Sequence, residues 1–88
     1  MNNEELNKKP HGPKYKYMVR NHVYESEKRF ITGREVLETA QLTPPDKYKL
    51  DLKMKGNVYR EIGLDESVDL AEPGIEKFTY ISRDQSEG

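Results

Sequence analysis

The residues best placed to do chemistry lie at the end of the chain, where a polar segment closes on Gly88. Glycine has no Cβ, so its carboxylate can enter a narrow channel and form an acyl bond without obstruction. The last seven residues span at most about 25 Å when extended, which is enough to reach a buried site in a partner. Gly88 is therefore a candidate site for joining the chain to another molecule, provided that the preceding residues form a domain that presents it, and the residues expected to contact the joining partners are Arg83, Asp84, Gln85, Ser86 and Glu87.

Other residue types that carry chemistry are scarce. The chain has no cysteine, which excludes a disulfide, a thiolate metal site and a thiol nucleophile. His11 and His22 fall in an expected arm and an expected turn, and neither has a partner at the spacing of a metal site or a catalytic triad. We expect the chain to be a substrate of catalysis and not an enzyme, with no metal and no cofactor.

Composition limits the class of protein. Eighty-eight residues allow one domain with a modest core, and charged residues (35%) slightly outnumber hydrophobic ones (33%). The net charge of −1 argues against nucleic acid or an anionic membrane as the main partner. No apolar run is long enough for a signal peptide or a membrane span, so a cytoplasmic location is expected.

The first half of the chain predicts an arm, a hairpin and a helix. Residues 1–13 contain too few apolar side chains to order themselves, so we expect a disordered arm. Lys14 to Arg20 alternates with the period of a half-buried strand. A turn at Asn21-His22, where Asn tolerates a positive φ, leads into a return strand.

The helix has the clearest local signal. Phe30 and Ile31 are expected to re-enter the core. Thr32 to Glu35 then fits a capping box, in which the side chains of Thr32 and Glu35 each bond the backbone N–H of the other residue. An apolar stripe of Val36, Leu37 and Ala40 follows. Pro44-Pro45 should end this run, because proline has no amide hydrogen to donate.

The second half predicts three strands. Tyr48 to Met54 alternates best, Gly56-Asn57 signals a turn, and Val58 to Ile62 would return. Gly63 to Leu70 is expected to form an irregular crossover before a last strand, Ile75 to Ile81.

These elements predict an α+β domain over residues 14–81, followed by a flexible tail over residues 82–88. The order is β-β-α-β-β-β, with a mixed sheet of four to five strands, one helix packed across it, and the first and last strands parallel at its centre. The expected core is Tyr15, Tyr17, Val19, Tyr24, Ile31, Val36, Leu37, Ala40, Leu50, Leu52, Val68, Leu70, Phe78 and Tyr80.

Several stretches carry a resemblance to a known family: Tyr15-Lys16-Tyr17, Phe30 to Leu37 with its Ile-Thr-Gly helix entry, Pro45 to Leu50, and Val68 to Phe78 with its Pro-Gly-Ile-Glu-Lys-Phe ending. Over about residues 14–81 the chain resembles the bacterial multi-ubiquitin domain family. The resemblance implies a ubiquitin-like β-grasp fold, which has the same element order. It also implies conjugation operons, some of which act in antiphage defence. The chain departs from the family by having one copy and no Gly-Gly ending.

The resemblance implies a ubiquitin-like modifier with four kinds of partner: an ATP-dependent E1-like activating enzyme, an E2-like conjugating enzyme, a JAB-type peptidase and target proteins. Two alternatives stay open. One is a β-grasp binding module that is never conjugated, and the weaker one is a sulfur carrier, since such proteins normally end in Gly-Gly. The candidate docking surface, expected to be more polar and salt-sensitive than that of ubiquitin, comprises Met18, Lys49, Asp51, Lys53, Thr79 and Ile81.

Overall fold

The computed structural model describes residues 14–84, so the expected arm and residues 85–88 lie outside the described residues. Seven strands, one α-helix and one 3-10 turn follow in order: β1 (Tyr15–Val19), β2 (His22–Ser26), β3 (Phe30–Thr32), α1 (Gly33–Thr39), the 3-10 turn (Pro45–Lys47), β4 (Tyr48–Met54), β5 (Val58–Ile62), β6 (Ser67–Asp69) and β7 (Ile75–Ser82).

Five of the strands form one mixed sheet in the order β2-β1-β7-β4-β5. β1 and β7 run parallel at its centre, with Val19 opposite Phe78, and the other neighbours are antiparallel. Helix α1 packs across one face through Val36 and Leu37, both fully buried. The α+β class and the parallel central pair predicted from the sequence are confirmed. Within residues 14–84 no helix has the length and apolar character needed to cross a membrane.

Two short strands form a second sheet that the sequence did not predict. β3 and β6 pair antiparallel, with Ile31 opposite Val68, so the stretch expected to be an irregular crossover is partly a strand. Arg29 fixes this pair from outside, donating from Nε and Nη2 to the two carboxylate oxygens of Asp69 at 2.8 and 2.9 Å. The prediction that Phe30 enters the core was wrong: Phe30 is 53% exposed, because successive strand residues point to opposite faces and Ile31 takes the inner one.

The first hairpin turns one residue earlier than predicted. Arg20, not Asn21, has the positive φ, at 53°, and His22 is already paired opposite Val19 in β2. Asn21-His22 was therefore wrong as the position of the turn. The second hairpin turns where the sequence indicated, with Gly56 at φ 87° and Asn57 at φ 61°.

The start of α1 has the predicted capping box. The Glu35 N–H donates to Thr32 Oγ1 at 3.2 Å, and the Thr32 N–H donates to Glu35 Oε1 at 2.9 Å. A hydrogen bond from Lys28 holds the pKa of the Glu35 carboxyl below its usual range, aided by the bond from the Thr32 backbone. The helix N-terminus is thus held by side chains before it (Lys28 and Thr32) and by one within its first turn (Glu35).

The helix ends before the two prolines that were expected to end it. Gln41 takes a left-handed conformation with φ at 64°, its N–H donates to the Glu38 carbonyl, and the Leu42 N–H donates to the Leu37 carbonyl at 2.8 Å. This pair of bonds is a Schellman motif, which satisfies the last carbonyls of a helix. The role given to Pro44-Pro45 was therefore wrong, since the chain has already left the helix at Ala40.

The core lies between α1 and the sheet. Its buried side chains are Tyr17, Val19, Ile31, Val36, Leu37, Leu50, Leu52, Ile62, Val68 and Phe78. Ile62 was not predicted, while Tyr15 is only half-buried and lies outside the cluster. The other expected members pack against the core in part: Tyr24, Ala40, Leu70 and Tyr80.

Candidate interaction site at the root of the tail

The tail leaves the molecule from the central strand of the sheet. β1 ends at Val19, opposite Phe78, whereas β7 continues to Ser82 and pairs there only with Tyr48 of β4. Successive residues of a strand direct their backbone groups to opposite neighbours, so every second residue faces the same one. Because the Phe78 carbonyl accepts from the Arg20 N–H at 2.8 Å, Tyr80 and Ser82 direct theirs to the same side, beyond the end of β1. The last part of β7 therefore has an open side.

Arg20 occupies the beginning of this open side. Its Nη2 donates to the Tyr80 carbonyl at 2.6 Å, where the next backbone donor of β1 would otherwise lie. Its Cζ lies 3.8 Å from the centroid of the Tyr80 ring, and that ring meets Tyr48 edge-on with centroids 5.9 Å apart. A cation over an aromatic face is held electrostatically. We name these three residues, Arg20, Tyr48 and Tyr80, the tail-root cluster.

The first tail residues bond to the domain itself. Arg83, predicted to offer its guanidinium to a partner, lies with Nη2 at 3.9 Å from Glu61 Oε2 of β5. The Asp84 N–H donates to Ser82 Oγ at 3.3 Å. Residues 85–88, which include the predicted conjugation site Gly88, lie outside the described part of the chain.

Most of the candidate docking surface lies together on the sheet face opposite α1. Lys49 pairs across the strands with Ile81, and Asp51 pairs with Thr79. Lys49 Nζ donates to both oxygens of Asp51 at 3.0 and 3.1 Å, so this charge pair is internal to the face. Ile81 is 38% exposed and directly precedes the tail root.

Lys53 belongs to the same face and is also paired. Its ammonium donates to Glu76, and that hydrogen bond raises the pKa of Lys53. The cations of this surface therefore meet carboxylates of the same domain. A partner would therefore meet two lysine–carboxylate pairs on this face, beside the Ile81 side chain.

Met18 lies at the other end of this surface from Ile81. In the parallel pair it aligns with Lys77, which pairs with Lys53 of β4 and lies four residues before Ile81, about 13 Å along the strand. Met18 also lines an open groove of about 320 Å³ with Val23, Leu70 and Ile75. Val23 is 59% exposed, and the groove is also lined by Glu76, the partner of Lys53, so the groove adjoins the charged sheet face.

No metal site accompanies these surfaces. Within residues 14–84, no three His, Asp or Glu side chains come close enough together to hold an ion. The one buried hydroxyl of interest, Tyr17, has its pKa raised by burial and packs between Tyr24 and Phe78 in the core.

A helix packed across a five-stranded sheet whose first and last strands are parallel at its centre defines a ubiquitin-like β-grasp protein. The multiubiquitin family matches residues 16–82, which is most of the chain. The chain belongs to this family, as the resemblance noted in the sequence predicted. No curated protein and no solved structure matches the chain.

Proposed function

We propose that this chain is a ubiquitin-like protein modifier, activated at the Gly88 carboxylate by an E1-like enzyme and transferred through an E2-like enzyme to amines of target proteins. Membership of the multiubiquitin family carries the proposal. The fold supports it, because the tail leaves from the central strand at a side that β1 leaves open. A JAB-type peptidase would reverse the conjugation.

In this proposal the chain supplies one reacting group. The Gly88 carboxylate attacks the α-phosphate of ATP, and pyrophosphate leaves. A cysteine thiolate of the activating enzyme then takes the acyl group and releases AMP. A cysteine thiolate of the E2-like enzyme displaces the first thiolate, and a target amine finally displaces the second and loses a proton to form the isopeptide bond. All catalytic groups belong to the partners, which agrees with a chain that has no cysteine.

The test uses the full chain, the E1-like enzyme encoded with it and ATP. We expect pyrophosphate exchange and a thiol-sensitive adduct on the enzyme. Deletion of Gly88 should abolish both, while Glu27→Gln, at an exposed residue far from the tail in sequence and outside both predicted sites, should preserve them. Unchanged adduct formation after deletion of Gly88 would contradict the proposal.

A second candidate is a β-grasp binding module that is never conjugated, and the groove beside Val23 and Met18 favours it. Intact-mass analysis of the chain recovered from cells separates the candidates. Covalent target adducts indicate a modifier, a terminal thiocarboxylate indicates a sulfur carrier, and an unmodified chain indicates a binding module. A role in antiphage defence, implied by the resemblance, predicts that deletion of Gly88 raises phage plaque counts in cells that depend on the operon.

A further inference from the structure

We propose that Arg20, held on Tyr80, binds a carboxylate side chain of the protein that engages the tail. This inference rests on the proposed function, and it commits to an acidic side chain of the activating enzyme. A guanidinium presents five N–H donors in a planar fork that matches a carboxylate. Arg20 uses one side-chain nitrogen on the Tyr80 carbonyl and one face on the Tyr80 ring, and the residue is exposed, which leaves donors for a partner.

Arg20 differs from the other arginines in its pairing. Arg29, Arg34, Arg60 and Arg83 each lie against a carboxylate of the same chain, which are Asp69, Asp65, Glu66 and Glu61. Among the ion pairs of residues 14–84, none involves Arg20. Its charge is therefore fixed in place by Tyr80 and left without a counter-ion within the described domain.

The backbone at Arg20 gives an independent reason. A φ of 53° is left-handed, a conformation that glycine and asparagine adopt readily and that is unfavourable for other residues. The turn itself gains nothing from an arginine at this position. A side-chain role offsets that cost, and the contacts of the guanidinium at the tail root are the ones that the structure shows.

The location selects the partner. The guanidinium lies on the side of β7 that β1 leaves open, and Ser82, the last residue of β7, lies two residues beyond Tyr80. A protein that engages the chain beyond Ser82 would therefore bind close to this side. A carboxylate on that protein would then form charge-assisted hydrogen bonds with a guanidinium whose rotamer is already fixed, so little side-chain entropy is lost on binding.

The experiment compares the wild-type chain with Arg20→Asn, Arg20→Lys and a matched control, Arg34→Asn, which removes the same charge from helix α1. Binding to the E1-like enzyme is measured by surface plasmon resonance at low and high salt, alongside the rate of thioester formation. We expect Arg20→Asn to weaken binding about tenfold or more, as expected for the loss of a charge-assisted hydrogen bond. Its binding should also depend less on salt than that of wild type.

Arg20→Lys should bind with intermediate affinity, because a point charge replaces the planar fork. Arg34→Asn should bind like wild type. Thermal unfolding separates a structural effect from lost binding: Arg20→Asn loses the contacts with Tyr80 but relieves the left-handed turn, so its melting temperature should stay close to that of wild type. Affinity of Arg20→Asn within twofold of wild type, or a loss equal to that of Arg34→Asn, would overturn the inference.

The outcomes separate this inference from the proposed function. If Arg20→Asn forms the enzyme adduct as well as the wild-type chain does, the inference alone is contradicted. Wild-type binding without any adduct contradicts the proposed function, and the binding data then decide on Arg20. Wild-type chain that neither binds nor reacts contradicts both.

Discussion

Gly33 is the residue at which helix α1 comes closest to the loop after β5. A Cβ at this position would lie 2.4 Å from the Gly63 carbonyl oxygen, and the Gly33 and Arg34 N–H groups donate to carbonyls of Glu66 and Leu64. Backbone atoms that are held by these bonds cannot easily move away. We expect Gly33→Ala to lower the free energy of unfolding by about 1–3 kcal/mol, measured by urea denaturation.

Gly63 provides the matched control for that substitution. A Cβ there would meet Glu66 Cβ at 3.8 Å, which is ordinary contact. Gly63→Ala should therefore leave the urea midpoint close to that of wild type. Equal effects of the two substitutions would show that the close approach of Gly33 to Gly63 does not constrain the fold.

Asp69 connects the small sheet to Arg29. The hydrogen bond from Arg29 lowers the pKa of Asp69, and the Ala71 N–H adds to this. A folded-state pKa below the unfolded value gives stability that is present above the unfolded pKa and lost as pH falls through the folded one. Asp69→Asn should therefore destabilise the protein at pH 7, and the difference from wild type should shrink as pH falls below about 4, measured by thermal unfolding. A difference that stays constant with pH would contradict this.

At the scale of elements, the end of α1 can be improved. Gln41 adopts φ 64°, where glycine carries no Cβ penalty. Gln41→Gly should raise the free energy of unfolding by about 0.4–1 kcal/mol and Gln41→Ala should not, since alanine keeps the Cβ. A lower melting temperature for Gln41→Gly would indicate that the Gln41 side chain has a role that its backbone does not show.

The sequence predicted the elements whose signals are local. The capping box at Thr32 and Glu35 spans four residues, and the alternation of Tyr48 to Met54 is long enough to define a strand. The helix end was misplaced because Gln41 has no special propensity for its left-handed conformation, while the later prolines do carry a signal. Strands β3 and β6 were missed because three residues are too few to show a period.

The tail-root cluster shows what a single sequence cannot supply. In the sequence, Arg20 is the last polar residue of an alternating strand. Tyr80, whose carbonyl accepts its hydrogen bond, is sixty residues away. Only the parallel pairing of β1 with β7 brings the two together, and β1 must also end before β7 does. The sequence predicted the pairing of these strands, but the difference in their lengths, which opens the site, follows from the position of the turn at Arg20.

At the scale of the whole molecule, the sheet face opposite α1 has two ends that a partner could contact. One end carries the Lys49–Asp51 pair beside Ile81, and the other carries Met18 and the groove with Val23, next to the Lys53–Glu76 pair. Charge pairs of this kind set specificity and association rate more than affinity. If partners dock on these charge pairs, affinity should fall between low and high salt, and a flat response would contradict salt-sensitive docking.

Thr79 gives the most direct test of docking on these charge pairs. It lies opposite Asp51 at the middle of the sheet face, so Thr79→Glu sets a second carboxylate against the first. We expect this substitution to slow association with the E1-like enzyme several-fold, measured by surface plasmon resonance, because like charges across a strand pair disturb the charge pairs of this face. Ser67→Glu adds the same charge at the exposed Ser67, in β6 of the second sheet, and should leave association unchanged. Melting temperatures of both variants separate a docking effect from lost stability, and equal association rates would assign docking to another surface.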